Sequence, residues 1–155
     1  MSIQSAFVRS ELTVNEEINL GPSTTTLVSD TGANTFQRYN GSASTSPSIS
    51  AKSHFAVTLS SGSGAVNLLA LIGTTGQTLA TTGLAVKAIK VKNPNPNPII
   101  VAASASNGYT MAFRVEAMGE ALMTSPSWPA VASSAAAVTV TGTGSQVSDW
   151  LICLG

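Results

Sequence analysis

Over the second two-thirds of the chain, hydrophobic and polar residues alternate with a period of two. After His54, the residues Phe55, Val57 and Leu59 alternate with Ala56 and Thr58, and the run ends in Ser60-Ser61-Gly62-Ser63-Gly64, which predicts a strand followed by a turn. Residues 66–72 are almost continuously apolar; the length of the run and the flanking Gly73 favour a strand buried on both faces over a short core helix. In residues 86–92, Ile89 and Val91 alternate with Lys90 and Lys92, so one face of a strand is wet. The prolines of Asn93-Pro94-Asn95-Pro96-Asn97-Pro98 donate no ladder hydrogen bonds and bias each asparagine toward extended geometry, which predicts a stiff, exposed connection.

Strand signals resume at residues 99–103. Beyond an Asn107-Gly108 turn they return at 109–115, where Met111, Phe113 and Val115 share a face. A Gly119 break, an apolar Ala121-Leu122-Met123, a Pro126/Pro129 corner around Trp128, a strand over 136–140, a Gly142 to Gly144 turn and a last strand over 150–154 complete the series. Strands spaced about ten residues apart, with turn residues between them, predict an all-β antiparallel β-sandwich, jelly-roll or barrel; the spacing suits a meander. No helical period is sustained anywhere in the chain.

The N-terminal signals are thinner. Leu12, Val14, Ile18 and Leu20 share one parity and Thr13, Asn15, Glu17 and Asn19 the other, with Glu16 alone breaking the apolar side; this predicts one long strand or a hairpin turning near Asn15 and Glu16. Residues 21–35 read as loop with at most a short edge strand around Leu27 and Val28, and 36–39 as a short strand closed by Asn40-Gly41. The Ser/Ala/Thr tract up to Ser53 reads as linker or surface arm. Two segments are therefore expected: residues 1–53, an extended N-terminal arm, and residues 54–155, the β-sandwich domain.

Composition narrows the function. The chain has 155 residues, 43% of them apolar and only 9% charged, which excludes disordered and coiled-coil classes and leaves one globular domain's worth of chain. Seven Lys/Arg balance seven Asp/Glu, so no long-range field exists to collect phosphates, and neither a nucleic acid nor a membrane is an expected partner. Neutrality also removes the repulsion that keeps copies apart, which an assembling protein tolerates best. No apolar h-region precedes Glu11, so no secretory signal is expected, and the run around residues 68–72 is too short to span a bilayer.

Candidate chemistry is sparse. A triad or metal cluster would have to centre on His54, the one histidine, and an enzyme would need it in a cleft beside a carboxylate; otherwise it begins a strand. Cys153 is the one cysteine and reads as a small buried hydrophobe on the last strand. Glu116 and Glu120 have the spacing of a pair on a helix, yet Gly119 and the preceding alternation argue for strand. Gly73-Thr74-Thr75-Gly76-Gln77-Thr78 resembles a phosphate loop without its lysine or helix. Lys87, Lys90 and Lys92 read as a solvated edge that blocks unwanted strand pairing. Asp30 and Asp149 offer nothing specific for calcium, so neither a cofactor nor a metal is expected. Trp128 and Trp150 read as core or subunit-contact residues; a sugar-stacking platform would instead require exposed Trp128, Tyr109 or Tyr39.

The Ser-rich alternating strand from His54 to Ser60, the apolar segment ending in Gly73, the Val86 to Asn93 strand and the terminal apolar strand from Trp150 to Gly155 together resemble small structural proteins of tailed bacteriophage virions. The resemblance covers residues 54–155, though Ala117-Met118-Gly119-Glu120 replaces the Pro-Gly-Gly-like turn expected in such proteins. It implies a β-sandwich without catalytic residues that resides in a virion after assembly in the host cytoplasm. The role expected is a capsid decoration or cement protein; a tail, neck or fibre component and a carbohydrate-binding module of a receptor-binding spike are the alternatives. The implied partners are the major capsid protein or other virion proteins and further copies of the chain, as a dimer or trimer. Leu12, Val14, Ile18, Leu20, Trp128 and Trp150 are the expected contact residues.

Overall fold

A computed structural model describes residues 5–10, 13–19, 25–31 and 35–40 by their strand pairing, and residues 49–73, 76–103, 111–125 and 128–155 with their side chains. The N-terminal strands are β1 (Ser5–Ser10), β2 (Thr13–Asn19), β3 (Thr25–Thr31) and β4 (Thr35–Asn40). β2 pairs with β3 and β1 with β4, both antiparallel and nearly in one register: Asn19 faces Thr25, Thr13 faces Thr31, Ser10 faces Thr35 and Ser5 faces Asn40. These are two separate two-stranded ribbons, β1–β4 and β2–β3, and neither pairs with any other described strand. Of the two readings of this segment, one strand or a hairpin turning near Asn15 and Glu16, the strand is the one found, since β2 runs through both residues. The Leu27–Val28 island is the middle of a seven-residue strand rather than a loop.

Eight further strands follow: β5 (Ala51–Thr58), β6 (Ser63–Asn67), β7 (Val86–Lys92), β8 (Ile99–Ala103), β9 (Ala112–Val115), β10 (Glu120–Thr124), β11 (Ala137–Thr141) and β12 (Val147–Leu154). They form two antiparallel four-stranded sheets, ordered β10-β7-β12-β5 and β6-β11-β8-β9. The pairing is nested: β5 with β12, β6 with β11, β7 with β10 and, innermost, β8 with β9. The bridging pairs β7 with β12 and β8 with β11 then join these ribbons into sheets. A meander is therefore not the topology: apart from β8 and β9, consecutive strands of the sandwich lie in opposite sheets. Local spacing carries no information about which strand crosses over, so it suggested neighbours in sequence.

The sheets share one core. Val57, Ile89, Val91, Trp150, Ile152 and Leu154 from the first sheet meet Val66, Ile99, Val101, Val115, Val138 and Val140 from the second. Alternation puts every second residue of β12 inward, where Ser148, Trp150, Ile152 and Leu154 are buried. Trp150 is fully buried, lies against Phe55 with ring centroids 6.3 Å apart, and donates its indole N–H to Ser148 Oγ at 2.8 Å. An aromatic with its polar atom satisfied in this way is a core anchor, which removes Trp150 from the set of subunit contacts.

The sandwich begins earlier than residue 54. Ile49 is buried, the Ser50 amide donates to the Leu154 carbonyl, and fully buried Ser53 donates its hydroxyl to the Ile72 carbonyl at 2.6 Å. A low-complexity tract thus supplies core positions, because serine fits inside where a carbonyl can accept its hydroxyl. The apolar run after Val66 is only partly strand. Asn67 ends β6 and caps a 3-10 turn, Leu68–Ala70, by accepting from the Leu69 amide at 3.0 Å.

The asparagine-proline run is exposed at Pro94, Pro96 and Asn97, as expected, and is tied to the sandwich through Asn93, Asn95 and Asn97. Asn93 is fully buried; its Nδ2 donates to the carbonyls of Asn97 (2.9 Å) and Glu116 (3.0 Å), and its Oδ1 accepts from Asn95 Nδ2 at 2.8 Å. Asn95 Nδ2 also donates to the Val147 carbonyl, and Gln146 Nε2 donates to the Asn97 carbonyl at 2.6 Å. Prolines remove donors from this segment, and the asparagine side chains replace them.

Candidate interaction surface

Among the described residues, ionisable side chains concentrate on the outer face of the β10-β7-β12-β5 sheet. Because inward positions on these strands are apolar or, at Ser53 and Ser148, buried serines, the alternate positions face out, and antiparallel register sets them in rows. Glu120, Lys92, Asp149 and Ala56 form one row, Leu122, Lys90, Leu151 and His54 the next, and Thr124, Ala88, Cys153 and Lys52 the third. The first row alternates acid, base and acid across three strands, and Lys90 reaches diagonally to Glu120 at 3.0 Å. With both side chains about half exposed, this pair orients the lysine more than it stabilises the fold.

Lys90 and Lys92 therefore do not protect an edge. β7 is an interior strand, flanked by β10 and β12, and its lysines are outward positions on a sheet whose other face is core. Leu122 and Leu151 flank Lys90 in the middle row and remain 38% and 37% exposed, apolar area left among charges. The face is slightly concave: Lys52, His54, Lys90, Lys92, Glu120 and Asp149 rim an open depression of about 460 Å³.

His54 is exposed on edge strand β5, in register with Leu151, so it occupies an open sheet surface rather than a cleft. Burial pushes the Cys153 thiol above the ordinary cysteine range, with the Lys52 ammonium pulling weakly the other way. Glu116 is held by Arg114 at 2.8 Å and Glu120 by Lys90, so the two glutamates belong to different ion pairs. Gly73 and Gln77 close a tight turn through a 2.9 Å amide-to-carbonyl bond; no helix follows to complete a phosphate loop. Among the described residues no three His, Cys, Asp or Glu side chains lie close enough to hold a metal ion, and no helix is long and apolar enough to cross a membrane.

Of the expected contact residues, Trp128 is half-buried and packs against the core. Val14 and Ile18 lie on β2 in register with Asp30 and Thr26, while Leu12, Leu20 and Tyr109 fall outside the described residues. The sequence reading missed Lys52, Asp149, Leu122 and Leu151. Its available signal was the period-two polar set Lys52-x-His54, Lys90-x-Lys92 and Asp149-x-Leu151, but only the register shows that these sets stand side by side. No protein-family model matches the chain, and no curated protein matches it.

Proposed function

We propose that the chain is a non-enzymatic structural protein of a virion, a jelly-roll sandwich with an extended N-terminal arm that decorates or cements the capsid through contacts between copies. The observation that carries this reading is the strand order. Eight strands pair first with last, second with seventh, third with sixth and fourth with fifth, in two sheets ordered β10-β7-β12-β5 and β6-β11-β8-β9; this order supports the jelly-roll reading, the double Greek key that recurs in capsid proteins.

Two further features support it. The β1–β4 and β2–β3 ribbons pair with neither sheet, and an isolated two-stranded ribbon is marginal in water, so they suit an arm that completes itself on a neighbour. The ionisable residues of the sandwich spread over an open sheet face rather than converging in a cleft, which suits contact better than catalysis. Around a lattice, a modest contact repeated many times gives strong attachment through avidity.

The test is immunoelectron microscopy of virions from a host carrying the gene, with antibody raised against the purified chain. Gold on the shell is the expected result. Gold confined to the tail refutes the capsid role, and unlabelled particles overturn the structural reading altogether.

A further inference from the structure

The two parts of the chain carry opposite charge. Residues 1–48 hold Glu11, Glu16, Glu17 and Asp30 against Arg9 and Arg38, a net charge of −2; residues 49–155 hold Lys52, Lys87, Lys90, Lys92 and Arg114 against Glu116, Glu120 and Asp149, a net of +2. The imbalance sharpens locally. β2 and β3 contain Glu16, Glu17 and Asp30 and no basic residue, since both arginines sit on β1 and β4. Three of the four lysines and the histidine sit on one outer sheet face with Glu120 and Asp149, three lysines against two carboxylates for a net of +1 with the histidine neutral.

We infer that the acidic β2–β3 segment of one copy docks on the outer face of the β10-β7-β12-β5 sheet of a second copy, over Lys52, His54, Lys90 and Lys92. This rests on the arm reading above and adds where the arm binds. Pattern as well as charge matches. Register places Val14 opposite Asp30, Glu16 opposite Val28 and Ile18 opposite Thr26, so one face of the ribbon mixes acidic with apolar positions. The sheet face mixes Lys52, Lys90 and Lys92 with Glu120 and Asp149 and with exposed Leu122 and Leu151, so its charge is mixed with a basic excess.

Length matches too. Seven-residue β2 spans about 24 Å and eight-residue β12 about 27 Å at ~3.4 Å per residue. A ribbon face of that length, about 10 Å wide, covers on the order of 240 Å², too little for one stable contact. A two-fold dimer in which each copy gives its ribbon and receives the other's doubles this and leaves no unmatched face. Such a dimer is weak, reversible and salt-sensitive, and suits assembly on a lattice better than storage as a fixed dimer.

The experiment is sedimentation velocity of the full chain over a concentration series, with three variants checked for folding by circular dichroism. In 50 mM salt the wild type dimerises, and 500 mM salt weakens the dimer about ten-fold or more. Lys52→Glu with Lys92→Glu, or Glu16→Lys with Asp30→Lys, leaves each chain monomeric alone. An equimolar mixture of the two recovers a dimer, because each acidic segment again meets a basic face. Glu17→Lys, on the other face of the ribbon, still dimerises. If the face variant fails to fold, Lys52→Gln with Lys92→Gln replaces it and is likewise monomeric. A wild type that stays monomeric, variants that dimerise as the wild type does, or a mixture that fails to re-form the dimer overturns the inference. Shell labelling of virions is read separately, so the structural role stands or falls by its own result.

Discussion

Replacing Asn93 tests whether the asparagine-proline run holds one end of the sandwich together. The side chain is 0% exposed, donates to the Asn97 and Glu116 carbonyls and accepts from Asn95. Asn93→Ala removes these bonds, while the Asn97 carbonyl keeps its bond from Gln146 Nε2 and the Glu116 carbonyl its bond from the Gly119 amide. At roughly 1 kcal/mol for each of the three hydrogen bonds, the loss comes to about 2–4 kcal/mol. For a chain of this size that is a fall in melting temperature of about 5–15 °C.

Asn93→Asp keeps the shape but aims a carboxylate at the same carbonyl oxygens. Its folded-state pKa then rises above the ordinary value near 4, so the folded variant binds the proton more tightly than the unfolded one. The stability of this variant is greatest below about pH 4 and falls as pH rises through the raised value, so its deficit relative to wild type is largest at pH 7 and smallest at pH 4. Urea unfolding at both pH values, followed by tryptophan fluorescence, measures both effects. An alanine variant within about 0.5 kcal/mol of wild type, or an aspartate variant whose deficit does not shrink on acidification, refutes the reasoning.

Other substitutions probe the rest of the fold. Trp150→Ala should cost about 3–5 kcal/mol in urea unfolding, since a fully buried indole leaves a cavity, and a loss under 1 kcal/mol would contradict its place as the core anchor. Gly62→Ala should lower stability by about 1–3 kcal/mol: the residue sits at φ 82° and a Cβ would meet the Gly142 carbonyl oxygen at 2.7 Å, so a neutral result would mean that turn is built differently. Lys90→Ala should change stability by less than about 1 kcal/mol, because its pair with Glu120 is solvated. The Cys153 thiol should alkylate more slowly at pH 8 than a free cysteine and accelerate only at higher pH; equal rates at pH 8 would contradict its burial.

What the sequence revealed followed from period-two alternation. Phe55 and Val57, Ile89 and Val91, and Trp150 and Ile152 each announce a strand with one apolar face, and the all-β class follows from them. Strand order was hidden because pairing β5 with β12 spans nearly the whole domain, and no local signal encodes it. Lys90 and Lys92 suggested an edge because wet residues look alike on an interior strand of a half-solvated sheet. The Asn67 cap and the buried role of Asn93 were hidden for a related reason: asparagine serves solvated turns and buried networks equally well, and only its partners tell them apart.

We propose that this chain works as a repeated building unit of a virion. Quantitative mass spectrometry of gradient-purified virions, calibrated with labelled peptides from residues 111–125 and 128–155, measures it most directly. Tens of copies or more per particle, in fixed ratio to the shell protein, is the predicted result; complete absence from purified particles, with the chain left in the soluble lysate, would contradict it.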